Sequence, residues 1–168
     1  LLWFLQYQPA RLLHDFTLLA SPEAALLNAS LVAAVALILI WRSKISLSGP
    51  TIAAVLTVFG FGLFGKTPIN VLPILLGVAI SAKVVGKQFS EYSIIALFGT
   101  ALGPISTVIA VELGFTGLTA LLAGALGGLI AGFLLPPVAI AMLRFHQGYN
   151  LYNIGLTTGF LALFGASL

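Results

Sequence analysis

GFGLFGKTPINVLPILLG, residues 60–77, sets a lysine, a threonine, a proline and an asparagine between two strongly apolar flanks. In a loop between two membrane helices Lys66 is harmless, whereas in a break inside the bilayer a lysine needs a partner or a purpose. Both readings require membrane helices on either side, and composition supplies them. The 168-residue chain is 60% hydrophobic and only 7% charged, with a mean hydropathy of +1.17. A soluble domain carries about 25% charged residues, so this chain has too little polar surface to coat a water-facing globule. The expected fold is all-α: a polytopic membrane protein with about six spanning or partly spanning helices of about 20 residues each and two helix breaks.

The remaining composition narrows the function classes. Seven Lys/Arg against four Asp/Glu give a basic chain, and so few charges reflect orientation in a membrane rather than nucleic-acid binding. With no cysteine, disulfides, thiolate metal sites and Cys nucleophiles are excluded. The chain opens at Leu1 without Met, as in a processed chain or one part of a longer protein. LLWFLQYQPARLL does not read as a signal peptide, because Gln6, Gln8, Pro9 and Arg11 interrupt its apolar run.

Outward from residues 60–77 the chain divides into an interfacial segment, 1–20, and a single transmembrane helical domain, 21–168. Ser21-Pro22-Glu23 is a helix start, with a capping hydroxyl, a proline suited to the first turn and an acid that complements the dipole. Residues 24–41 form a span closed by Arg42 and Lys44, with Asn28 facing protein. Residues 51–64 and 71–82 are apolar but short: fourteen residues cover about 21 Å of a bilayer core of about 30 Å. A weaker span, 92–111, holds Thr100, Gly103-Pro104 and Thr107, whose hydroxyls are expected to bond back to their own helix. Residues 115–143 contain LLAGALGGLIAG, with small residues at spacings that admit close helix packing, and Pro136-Pro137 is expected to break or kink that helix. HQGYNLYN, 146–153, leads into a last short apolar stretch, 154–167. Six alternating crossings put Arg42/Lys44, Lys83/Lys87 and Arg144 on one side, as the positive-inside rule demands. Lys66 is the outlier.

Two clusters share a design: a short apolar run, a polar break with a cation, glycine and asparagine, then a second apolar run. The first comprises Lys66, Thr67, Pro68 and Asn70; the second comprises His146, Tyr149, Asn150, Tyr152 and Asn153. Discontinuous helices of this kind line substrate paths in transporters, because irregular backbone survives at membrane depth only where protein or water satisfies it. The plainer alternative is a pair of helical hairpins, with Lys66 snorkelling to the surface, Asn70 capping a helix and the tyrosines in the interfacial belt. Glu112 and Asp15 fall on the same side as Lys66 and are its possible counter-ions.

Catalysis finds no constellation. His14 and His146 are far apart, and no HExxH or GxSxG spacing occurs, so no enzyme, metal or cofactor is expected. Gly60 to Thr67 fits GxxxxGK[ST] formally, but the run lies in a membrane segment without a βαβ context or a Walker B acid, and it is set aside as a P-loop.

Four stretches carry a family resemblance: ALLNASLVAAVALIL (25–39), SGPTIAAVLTVFGFGLFGKTPINVLPILLGVAI (48–80), IIALFGTALGPI (94–105) and HQGYNLYNIGLTTGF (146–160). In that order they resemble a multi-pass membrane family labelled domain of unknown function 1576, from about Asp15 to the end. The resemblance implies a prokaryotic inner-membrane protein, often built from two related copies of a unit this size, hence a homo-oligomer or a second homologous half as partner. It marks Gly65, Lys66, Asn70 and Pro73, then Gly99, Thr100 and Pro104, then His146, Gly148, Asn150, Tyr152, Asn153 and Gly155, and it lends no substrate. The expected function is a membrane transporter or channel for a small polar solute or ion. In it the breaks at 65–70 and 146–153 meet, Lys66, Thr67, Asn70, His146, Asn150 and Asn153 line the path, and Tyr149 and Tyr152 gate it. The alternative is a non-transporting subunit that docks a partner or second copy through the glycine-rich face, 115–133.

Overall fold

A computed structural model describes residues 1–8, 14–149 and 152–166, and all regular structure among them is helical. Two short helices, α1 (Leu2–Gln6) and α2 (Phe16–Leu19), precede α3 (Pro22–Arg42). A short pair follows, α4 (Gly49–Phe61) and α5 (Pro68–Val84). A 3₁₀ turn, Phe89–Tyr92, leads into α6 (Ser93–Gly99), a second 3₁₀ turn at Thr100–Leu102, and α7 (Gly103–Glu112). The long α8 (Gly117–His146) and α9 (Asn153–Ala166) complete the chain. Three stretches are long and apolar enough to cross a membrane, Pro22–Arg42, Phe89–Ile109 and Gly117–His146, with shorter apolar helices at Gly49–Phe61, Pro68–Val84 and Asn153–Gly165. This is the expected integral-membrane architecture.

Helix starts follow their local chemistry. Ser21 accepts a 3.2 Å hydrogen bond from the Ala24 amide, with Pro22 in the first turn. At 21 residues α3 is about 31 Å long, which matches a bilayer core of about 30 Å. The α4–α5 pair is shorter and bends back at residues 62–67, so its tip stops inside the span set by α3.

Direction of packing follows from which residues meet. Ala29 of α3 lies against Gly62 at the end of α4, while Val35 and Leu39, further along α3, pack with Ile74, Leu75 and Val78 of α5. Pro73 meets Gly128, and Ile74 and Gly77 meet Gly132. Helices α3, α5 and α8 are therefore parallel, and Arg42, Lys83 and Arg144 emerge at one end, as the charge distribution requires.

The glycine face of α8 is used within the chain. A methyl group on Gly124 would overlap the Ser106 carbonyl, one on Gly128 the Ser106 hydroxyl, and one on Gly132 the Ile74 carbonyl. Small residues thus let α5 and α7 lie directly on α8, the packing available where lipid provides no hydrophobic drive between helices. The partner of the face expected to receive a second copy is α5 and α7 of the same chain. Pro136 and Pro137 do not break α8, which continues for 30 residues. Each proline removes one backbone donor, a loss that packed neighbours and local adjustment offset in membrane helices, and Pro136 is buried.

The N-terminal segment caps the far end of the bundle. Leu5, Phe16, Ala24 and Ala25 are buried together against Leu63, and the Phe16 amide donates to the Leu63 carbonyl at 3.0 Å. Residues 1–8 and 14–19 thus sit over the α4–α5 tip, a more specific role than an interfacial segment.

Candidate functional site

The site is built from the tip of the α4–α5 hairpin. Gly65 has φ +98, a conformation that only glycine adopts without strain, and it turns the chain inward. Thr67 then caps α5, with Pro68 in its first turn. The Asn70 amide donates to Thr67 Oγ1 at 3.3 Å, the Thr67 amide to Asn70 Oδ1 at 3.0 Å, and Asn70 Nδ2 to the Gly65 carbonyl at 2.9 Å. This is a capping box with an added bond that ties down the turn. Thr67 and Asn70, expected to meet a solute, are buried and instead hold the backbone that carries Lys66.

A second tie comes from α3. Asn28 is fully buried; its Nδ2 donates to the Gly62 and Lys66 carbonyls at 2.7 and 2.8 Å. Its Oδ1 accepts from Gln6 Nε2 at 2.9 Å. An asparagine in an oily helix must find partners, and this one closes carbonyls that the end of α4 leaves open. Asn28 lies six residues after Pro22, about 9 Å inside the end of α3. Lys66 is at the same depth.

The Lys66 side chain is 1% exposed. Its Nζ donates to Thr100 Oγ1 at 2.8 Å and lies 5.1 Å from the centroid of the Phe61 ring. Thr100 sits on the 3₁₀ interruption between α6 and α7, and its hydroxyl donates to the Leu97 carbonyl at 2.6 Å. The back-bond to its own helix was expected; the bond from Lys66 was not. Gly103 follows, where a Cβ would come within 2.7 Å of Asn70 Oδ1, so glycine is what lets the two interruptions touch. Ser106 adds a 3.4 Å bond to the Asn70 carbonyl. A groove of about 580 Å³ opens beside this junction, with Gln6, Asn70 and Ser106 among its lining residues.

The expected counter-ions are not at Lys66. Asp15 Oδ1 accepts from the Thr17 amide and hydroxyl at 2.8 and 2.6 Å, and the Thr17 hydroxyl, then its amide, holds the carboxyl below its ordinary range. Glu112 is exposed, so it shares the Lys66 end of the bundle without sharing its burial. Glu91 pairs with Lys87 at 2.8 Å, and Glu23 is exposed. None of the four acidic side chains pairs with Lys66.

The second cluster lies elsewhere. Gln147 is left-handed at φ 51 and Gly148 has φ 86, a turn that ends α8. His146 Nδ1 accepts from the Gly148 amide at 3.2 Å, so Nε2 is assigned as donor to Asn153 Oδ1 at 2.8 Å. Asn153 Nδ2 donates to the Ala139 carbonyl at 3.2 Å. Tyr149 is 92% and Tyr152 78% exposed, as befits interfacial aromatics. Asn150 lies outside the described residues. His146 and Asn153 thus bond to one another and to α8, whereas Lys66 bonds to Thr100. Thr100, which holds the Lys66 amine, follows Gly99, whose Cβ position meets the Leu135 side chain of α8, and His146 is 11 residues further on, about 17 Å along the helix. The interruption that does reach Lys66 is Gly99–Gly103.

A helical integral-membrane protein whose one buried ionisable side chain, among the described residues, sits where two broken helices touch is the class that fold and site define. Within that class the chain belongs to the family described as protein of unknown function (DUF1576), whose model matches residues 2–168. No curated protein and no solved structure matches the chain.

Proposed function

We propose that the protein is a transporter or channel for a small polar solute or ion, with Lys66 and Thr100 as the groups that meet the solute. The observation that supports this is the buried Lys66 amine bonded to Thr100 at the contact of two helical interruptions. Ionisable groups inside a membrane domain are costly and mark paths for ions, protons or substrates, and broken helices at membrane depth are where transporters place their sites. Asn28, Thr67 and Asn70 keep the site rigid. The groove at Asn70 and Ser106 is the approach. The Lys66 side chain is sealed from solvent, so passage requires motion at the hairpin tip or the 3₁₀ turn. On this reading the protein works in a prokaryotic inner membrane beside a second copy, as the family resemblance implies. A docking subunit would have to use the exposed Leu118, Leu122, Leu126 and Ile130 of α8, since Gly124, Gly128 and Gly132 pack within the chain.

Uptake into proteoliposomes tests the reading. A charge-assisted hydrogen bond contributes about 1.5–3 kcal/mol, so Lys66→Ala should slow transport about 10- to 100-fold, and Thr100→Val should also slow it. Asn153→Ala, in the distant turn, should transport like wild type. Equal rates in Lys66→Ala and wild type would remove Lys66 from the mechanism.

A further inference from the structure

We infer that the site at Lys66 takes a small monovalent anion, held by the Lys66 ammonium and the Thr100 hydroxyl; this rests on the permease reading above and names its substrate class. All four Asp and Glu side chains are accounted for away from Lys66. Among the described residues Lys66 is the one charged side chain in the buried interior. A lysine amine enclosed in a low-dielectric interior holds its proton only beside a negative partner, and no acidic side chain among the described residues supplies one, so an entering anion is the partner that stabilises the ammonium. A cation at the same place meets a like charge with little water to screen it.

The inventory of donors sets the size. Both Asn28 Nδ2 bonds go to backbone carbonyls, and the Asn70 amide group is tied to Gly65 and Thr67. Neither presents the fork that a sugar, urea or amino acid would need. What remains are the Lys66 N–H groups not directed at Thr100, and the Thr100 hydroxyl, whose hydrogen can turn from Leu97 towards a ligand. Two donor groups, with the Phe61 face set against the ammonium alone, suit an anion of one to a few atoms.

The test uses the whole chain in proteoliposomes, with chloride, nitrate and formate as anion probes, urea and glycerol as neutral probes, and sodium and potassium as cation probes. Wild type, Lys66→Met and Thr100→Val are compared after each is shown to elute as a folded species in detergent. At least one anion should cross about tenfold faster in wild type than in Lys66→Met, with Thr100→Val between them. Lys66-dependent flux of a neutral or cationic probe, with none of any anion, overturns the anion inference and leaves the permease reading standing. No Lys66-dependent flux in any arm overturns both. If Lys66→Met does not fold, the decision passes to wild-type protein in detergent. Its thermal midpoint should then rise in one of the three anion salts relative to gluconate, and should not rise in Thr100→Val. No rise in wild type overturns the inference.

Discussion

Replacing Asn28 with leucine tests whether one buried amide holds the hairpin tip in place. The exchange keeps the side chain's bulk but removes two donors and one acceptor, which leaves the Gly62 and Lys66 carbonyls and the Gln6 amide without their 2.7, 2.8 and 2.9 Å partners. Hydrogen bonds in a membrane protein average about 0.6 kcal/mol by double-mutant cycles, so three set a lower bound of about 2 kcal/mol. Gln6 Nε2 keeps the Leu2 carbonyl at 3.4 Å, so two carbonyls are orphaned in a dry interior at about 1–3 kcal/mol each, and the expected loss is about 2–6 kcal/mol. Equilibrium unfolding followed by circular dichroism in mixed micelles measures it. Ser30→Ala serves as the control: Ser30 is exposed on the same helix and bonds only to Leu26 one turn back, so it should change stability by no more than about 0.5 kcal/mol. A competing account exists, because the Lys66 amide also donates to the Phe61 carbonyl at 3.1 Å and backbone bonds alone can shape a turn. An Asn28→Leu protein within about 0.5 kcal/mol of wild type would refute the tie and favour that account.

Two further outcomes follow from packing and topology. In Gly132→Ala the new methyl lands on the Ile74 carbonyl and should destabilise by about 1–3 kcal/mol. In Gly60→Ala it meets nothing within 4 Å and should be neutral or stabilise by up to about 1 kcal/mol; the same unfolding assay reads both, and the reverse order would contradict the α5–α8 contact. The cysteine-free chain also allows single-cysteine labelling with an impermeant maleimide. Lys44→Cys, Lys87→Cys and Tyr149→Cys should react from one face of the membrane, and Leu19→Cys and Leu113→Cys from the other. A split within either group would overturn the parallel arrangement of α3, α5 and α8.

The fold was legible wherever the sequence recorded a balance between oil and charge. Low charge content gave the membrane class, Ser21-Pro22 gave the start of α3, and the apolar runs 51–64 and 71–82 gave the two short helices α4 and α5. Pro136-Pro137 read as a break or a kink, and α8 runs on through both, because neighbours in a membrane helix bundle offset the lost donors. HQGYNLYN was legible as a polar turn but not in its contacts: His146 bonds to Asn153, and Asn153 to the Ala139 carbonyl, so these side chains join the ends of α8 and α9.

The partner of Lys66 was hidden by a different limit. Thr100 and Asn28 both stood out as polar residues in apolar runs, but a run of sequence carries depth and no azimuth. Asn28 meets the Lys66 carbonyl and Thr100 its amine, and polar groups enclosed in lipid can be satisfied only by others at a depth within reach. Glycines supply what depth lacks. Gly62 and Gly103 mark the two points where backbone must press against Ala29 and Asn70, and they single out which faces meet. An intramembrane lysine is therefore best assigned by pairing each polar residue with the glycine-flanked break at matching depth, a criterion that selects FGTALGP over HQGYNLYN from helix lengths and small residues alone.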